Sequence, residues 1–126
     1  MRIAGPQPYA PPADVLAWAQ TNGGEILRTD DVGLAIEKAQ TVVTDVWTSM
    51  GADEGSRRED FAPYQVNADL MKAAASNAIF MHCLPAWRDM EVTAEVIDGP
   101  QSAVFEEAEN RLHAQKAVMA WCIAGN

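Results

Sequence analysis

Positive charge is scarce in this 126-residue chain, where 9 Lys and Arg stand against 18 Asp and Glu for a formal net charge of −9. A surface of that sign repels phosphate backbones and anionic lipid, which disfavours nucleic acid and membrane as main partners. A local cationic pocket for a single phosphate stays open. Cysteine is equally sparse. Cys83 and Cys122 are the two present and make no paired framework. The sequence carries no secretory hydrophobic core and no apolar run of about 18 residues, so a reduced, cytoplasmic setting is expected. The glycines of a nucleotide site are missing too. The first turn reads Gly5-Pro6-Gln7-Pro8 instead of G-x-G-x-x-G, and no G-x-x-x-x-G-K-[ST] loop occurs. His82, Cys83, His113 and Cys122 lack the short spacings of metal ligands, so neither a metal nor an organic cofactor is expected.

What is present is an ordinary apolar fraction, 48%, in one domain's length of chain. Strand and helix signals alternate along it. Arg2-Ile3-Ala4-Gly5 reads as a strand, the proline-rich stretch 5–12 as a loop, and 13–22 as a helix closed by Gly23-Gly24. Glu25 to Arg28 reads as a strand, followed by a helix capped by Thr29 or Asp30 and a β-branched strand from Thr41 to Val46. Trp47 to Pro63 reads as one long irregular segment, a length usually reserved for function. Asn67 caps a helix, Ala78 to Cys83 is a strand, Thr93 caps a short helix, and Ser102 to Phe105 is a last strand before a helix from about Glu106 to Ile123. The expected fold is α/β: a three-layer, doubly wound, Rossmann-like parallel sheet of about five strands. The chain opens inside its first strand, as a domain truncated at the N-terminus would.

The central stretch is Phe80-Met81-His82-Cys83-Leu84-Pro85-Ala86. Its apolar start predicts a strand covered on both faces, and Pro85 predicts where that strand must stop. His82 and Cys83 then lie near a strand's carboxyl end, where open α/β sheets bind ligands. They are adjacent, so their side chains point to opposite faces and do not pair with each other. Asp45 ends the preceding strand and would face the same cleft, or cap the following turn. Arg111 follows Glu107 at helical spacing, a pattern that on its own describes a solvated face. Trp47, Met50 and Trp87 are large apolar residues in expected loops and suit a lid or an interface.

Three of these stretches together resemble the ornithine carbamoyltransferase family: Asp45-Val46-Trp47-Thr48-Ser49-Met50-Gly51, the His82-Cys83-Leu84-Pro85 segment, and Glu109-Asn110-Arg111-Leu112-His113-Ala114-Gln115-Lys116-Ala117. Phe61 to Asn67 and Glu95 to Ser102 are similar as well. The resemblance covers nearly all of residues 1–126, as one domain comprising most of the ornithine-binding half. It implies transfer of the carbamoyl group of carbamoyl phosphate to the δ-amine of ornithine, giving citrulline and phosphate. It further implies that Asp45 holds the ornithine amino end, that Ser49 and Met50 belong to a closing lid, and that Cys83 sits between ornithine and the carbamoyl group. Leu84 would offer its carbonyl to the carbamoyl amide, Arg111 would polarise the carbamoyl oxygen, and His82 would belong to the same substrate-binding set.

The resemblance departs at Trp87, where the family commonly has His, and at Asp89, where it commonly has Gly. The family's Ser-x-Arg-Thr-Arg phosphate loop and His-Pro-x-Gln stretch do not occur, so the carbamoyl-phosphate domain is absent and the chain alone is expected to be inactive. A relative acting on acetylornithine is one alternative, although Ser49-Met50-Gly51 favours ornithine. The other is a non-catalytic remnant that self-associates, and a homo-oligomer is expected on either account.

Overall fold

The computed structural model describes residues 1–48 and 54–125, with the side chains of 54–56 left out. Ser49 and Met50 therefore lie outside the described residues. The elements alternate as β1 (Arg2–Ala4), α1 (Ala13–Thr21), β2 (Leu27–Thr29), α2 (Val32–Ile36), β3 (Thr41–Thr44), α3 (Glu54–Phe61), α4 (Ala68–Ala73), β4 (Ile79–His82), α5 (Ala94–Ile97) and α6 (Val104–Ala124). Short 3₁₀ turns at Gln7–Tyr9 and Ala62–Tyr64 fill two of the connections.

Local chemistry explains most of these boundaries. Asp14 occupies the first turn of α1, where the helix dipole favours an acid. Gly23 beyond its end takes φ +77°, a conformation glycine adopts freely. Asp31 caps α2 by accepting from the Leu34 N–H, and Asn67 caps α4 by accepting from the Leu70 N–H. Helix α3 replaces most of the expected irregular segment. The glycine and serine at its start argued for a loop, whereas Arg57, Arg58 and Glu59 are good helix formers.

The strands pair in parallel, β1 with β2 and β3 with β4. Among the described residues they form two separate two-stranded sheets, not one sheet of about five strands. The expected last strand contracts to a single bridge, Phe80 to Ser102, held by Phe80 N–H to Gln101 O at 2.8 Å and Ala103 N–H to Phe80 O at 2.8 Å. Glu106 and Glu107 sit in the first turn of α6, so the chain turns helical at Val104 before a strand can grow.

Val66, Met71, Ala78, Phe80, Val92, Val96, Ile97 and Val104 make the core. It lies on one face of the β3–β4 pair. Phe80 and His82 are fully buried, while Val43 is 64% and Ile79 41% exposed. Strand β4 is thus covered on one face and partly open on the other, in place of the two-sided cover that its apolar run predicts. Beyond Val104, helix α6 leaves Leu112, Met119 and Trp121 in solvent.

Candidate functional site

The register of β3 against β4 builds the site. Thr41 pairs with Ile79 and Thr44 with His82, so the next residues along, Asp45 and Cys83, leave the sheet side by side. Side chains alternate across a strand. Thr44 and His82 turn toward the core, and Asp45 and Cys83 turn the other way. The Cys83 thiol donates to Asp45 Oδ1 at 3.2 Å. The same oxygen accepts the Val46 N–H at 2.7 Å, so Asp45 both caps its own turn and faces the thiol. From α6, Arg111 Nη1 donates to the Cys83 carbonyl at 2.8 Å. Arg111 does not spend itself on the i,i+4 pairing with Glu107 that its spacing allowed. Three expected site residues from three distant stretches thus meet at one strand end.

Burial holds the Cys83 thiol above its ordinary value, and the Asp45 carboxylate, followed by the charge of Glu107, pushes the same way. The thiol therefore serves as a protonated hydrogen-bond donor in neutral solution. That does not suit the thiol hydrolase chemistry which a Cys beside a His can suggest.

His82 sits behind the site and not in it. Its Nδ1 accepts the Leu84 N–H at 2.9 Å, which leaves the ring proton on Nε2 to be donated to Glu91 Oε1 at 3.1 Å. Both residues are fully buried. Glu91 Oε1 also accepts the Trp87 N–H at 2.7 Å. Leu84 itself takes φ +54° and precedes a cis peptide bond to Pro85. Glu91 is the residue that sequence reasoning missed. Its signal was an acid between Met90 and Val92, in a stretch otherwise fit for a core. Asp89 adopts φ +64°, a left-handed backbone that Gly, Asn and Asp tolerate best. Its Oδ1 accepts the Ala94 N–H at 3.2 Å and steadies the turn.

Donor atoms of Asp45, His82 and Cys83 lie within 4.8 Å of one another. As a metal site the set is incomplete as it stands, because both His82 nitrogens are already engaged by Leu84 and Glu91. A cavity of about 610 Å³ opens between β1 and β3, with Ala4, Val43, Asp45, Trp47, Arg57 and Phe61 on its walls. It takes in Asp45 but neither Cys83 nor Arg111, so it adjoins the site on one side only.

Residues 1–122 match the family model described as aspartate/ornithine carbamoyltransferase, Asp/Orn binding domain. The chain belongs to that family. An ornithine carbamoyltransferase of Brucella abortus (strain 2308) is 54% identical over 124 residues, which are 98% of this chain and 40% of that protein. One of Rhizobium meliloti (strain 1021) is also 54% identical, over 98% of this chain and 41% of its own length. Among solved structures, ornithine carbamoyltransferase from Pyrococcus furiosus superposes with a TM-score of 0.89 at 46% identity, covering 99% of this chain and 42% of that one. The anabolic enzyme of Campylobacter jejuni gives 0.86 at 31% identity, over 96% and 42%. The chain thus spans about 40% of the length of the curated carbamoyltransferases it matches. Its Rossmann-like α/β character agrees with these carbamoyltransferase structures.

Proposed function

We propose that this chain is the ornithine-binding part of an ornithine carbamoyltransferase, and that a carbamoyl-phosphate domain from outside residues 1–126 completes the enzyme. The observation that carries the reading is the meeting of Asp45, Cys83 and Arg111 through two hydrogen bonds at the ends of β3 and β4. In the transfer, the neutral δ-amine of ornithine attacks the carbamoyl carbon, the bond to phosphate oxygen breaks, and the amine loses a proton. Asp45 attracts the ammonium form of the substrate and accepts or passes that proton. Cys83 lies between amine and carbamoyl group as a neutral donor. The guanidinium of Arg111 stabilises the oxygen that becomes negative in the tetrahedral transition state. The Leu84 N–H is already bound to His82, which leaves its carbonyl as the group for the carbamoyl NH₂. His82 supports this arrangement from behind. Ser49 and Met50, which lie outside the described residues, complete the proposed substrate-binding set. The transfer balances without a metal or an organic cofactor. The reduced cytoplasm is the compartment proposed, and no described helix is long and apolar enough to cross a membrane.

A citrulline assay with ornithine and carbamoyl phosphate tests the reading. The chain alone is expected to be silent, and addition of the missing domain is expected to restore turnover, which Arg111→Met then abolishes. Turnover by the chain alone would overturn the division into halves. A second reading, a self-associating module, is favoured by one observation. Among the described residues β1 pairs only with β2 and β3 only with β4, and the unpaired edges of β1 and β3 line the 610 Å³ cavity. Sedimentation of a strictly monomeric species at micromolar concentration, with activity restored by the missing domain, would remove it.

A further inference from the structure

A buried carboxylate is costly unless its surroundings donate to it, and an apolar side chain usually fills such a place better. Glu91 is buried completely, yet its Oε2 has no hydrogen-bond partner. Optimal core packing does not account for it. Its position does. Oε1 receives two donors, the His82 ring and the Trp87 N–H, and the His82 ring in turn receives the Leu84 N–H. One carboxylate oxygen therefore ties both ends of the turn that runs from Leu84 to Trp87. That turn carries Cys83 at its mouth, whose thiol meets Asp45 and whose carbonyl meets Arg111. Glu91 is itself fixed, because its carbonyl accepts the Val66 N–H at 2.9 Å.

We propose that Glu91 is a positioning residue, which through the His82 ring and the Trp87 N–H holds Cys83 and Leu84 at the cleft edge. That this edge is held for a substrate rests on the carbamoyltransferase reading, whereas the holding itself does not. Groups facing the Cys83 thiol are Asp45 after β3 and Glu107 on α6, with Arg111 of α6 on its carbonyl. Glu91 reaches it only through the turn.

The test needs no substrate, so its outcome is independent of the citrulline assay. Alkylation of Cys83 by iodoacetamide is followed against pH, in the Cys122→Ser background to silence the exposed second thiol. Glu91→Gln keeps the reach and an acceptor oxygen. Glu91→Asp keeps the charge but is one methylene too short to serve both donors. Loosening the turn exposes the thiol, and exposure lowers the pH at which it ionises. In Glu91→Asp the alkylation rate at neutral pH is expected to rise about fivefold or more, while Glu91→Gln stays within about twofold of the parent. A role confined to stability would lower the melting temperature and leave the profile of the folded chain alone. An unchanged profile in Glu91→Asp, or an equal shift in both variants, overturns the proposal. Nitrogen-15 NMR of the unaltered chain is an independent measurement should Glu91→Asp not fold. His82 is expected as the neutral Nε2–H tautomer with an unprotonated Nδ1, and a proton on Nδ1 overturns the relay.

Discussion

Replacing Phe80 and Ile79 by alanine, one at a time, asks which face of the β3–β4 pair carries the core. The two residues are adjacent on β4 and point oppositely. Phe80 is 0% exposed and Ile79 41%. Removing a fully buried Phe costs about 3–5 kcal/mol, the sum of lost transfer energy and the cavity left among Val92, Val96 and Val104. Ile79 already keeps a large part of its surface in water, so its loss is expected to cost about 1 kcal/mol. Urea unfolding followed by circular dichroism measures both. With a slope of about 2 kcal/mol per molar, Phe80→Ala lowers the midpoint by about 2 M and Ile79→Ala by about 0.5 M. A domain of this size is stable by only about 5–15 kcal/mol, so Phe80→Ala leaves little reserve. Equal losses at the two positions would refute the one-faced core and restore a strand covered on both sides.

Further outcomes follow from single contacts. Asp45→Asn removes a charge that helps keep the Cys83 thiol protonated, so the alkylation midpoint of Cys83 is expected to fall; it stays above that of an ordinary thiol because burial is the larger cause. The folded chain holds this proton more tightly than the unfolded one. Its stabilising effect is whole below the ordinary thiol value and is lost as pH rises through the raised one, so Cys83→Ser is expected to flatten the alkaline limb of a stability profile. Asn67→Ala deletes the cap on the Leu70 N–H and costs about 1 kcal/mol in a thermal melt, whereas Asn67→Asp costs little. Asp89→Ala loses both the tolerance for a left-handed backbone and the bond to the Ala94 N–H, for about 1–2 kcal/mol, while Asp89→Gly, relieved of the first cost, stays within about 0.5 kcal/mol of the parent.

Strand ends were the most legible part of the sequence. Pro85 marked where β4 stops, the Thr41-Val42-Val43-Thr44 run marked β3, and the polar residues just beyond them came together as their positions implied. Caps were legible where a side chain with one job stood before a helix, as Asn67 does. Helix α3 was not, because Gly55 and Ser56 speak locally for a loop and only the following charged residues speak for a helix. The last strand failed for a related reason. Ser102 to Phe105 has strand composition, but its partner strand needs only one bridge from it, and the acids that follow pull the chain into α6. Arg111 was ambiguous because helical spacing reveals a neighbour on the same helix and nothing of a carbonyl on a distant turn. The role of Glu91 was hidden for the same cause, since its partners are donors that exist only once the Leu84 to Trp87 turn has formed.

The pairing of Thr41 with Ile79 has a consequence for which kinds of change this protein can tolerate. Asp45 meets Cys83 because each stands the same number of residues past that pair. Substitutions within β3 can be absorbed one at a time by neighbours that repack. A single inserted or deleted residue between 41 and 45 cannot, because it would send Asp45 to the opposite face from Cys83 while leaving every chemical group in the chain intact. The site is addressed by counting, and lineages that carry it are expected to vary in the letters of this segment but not in its length.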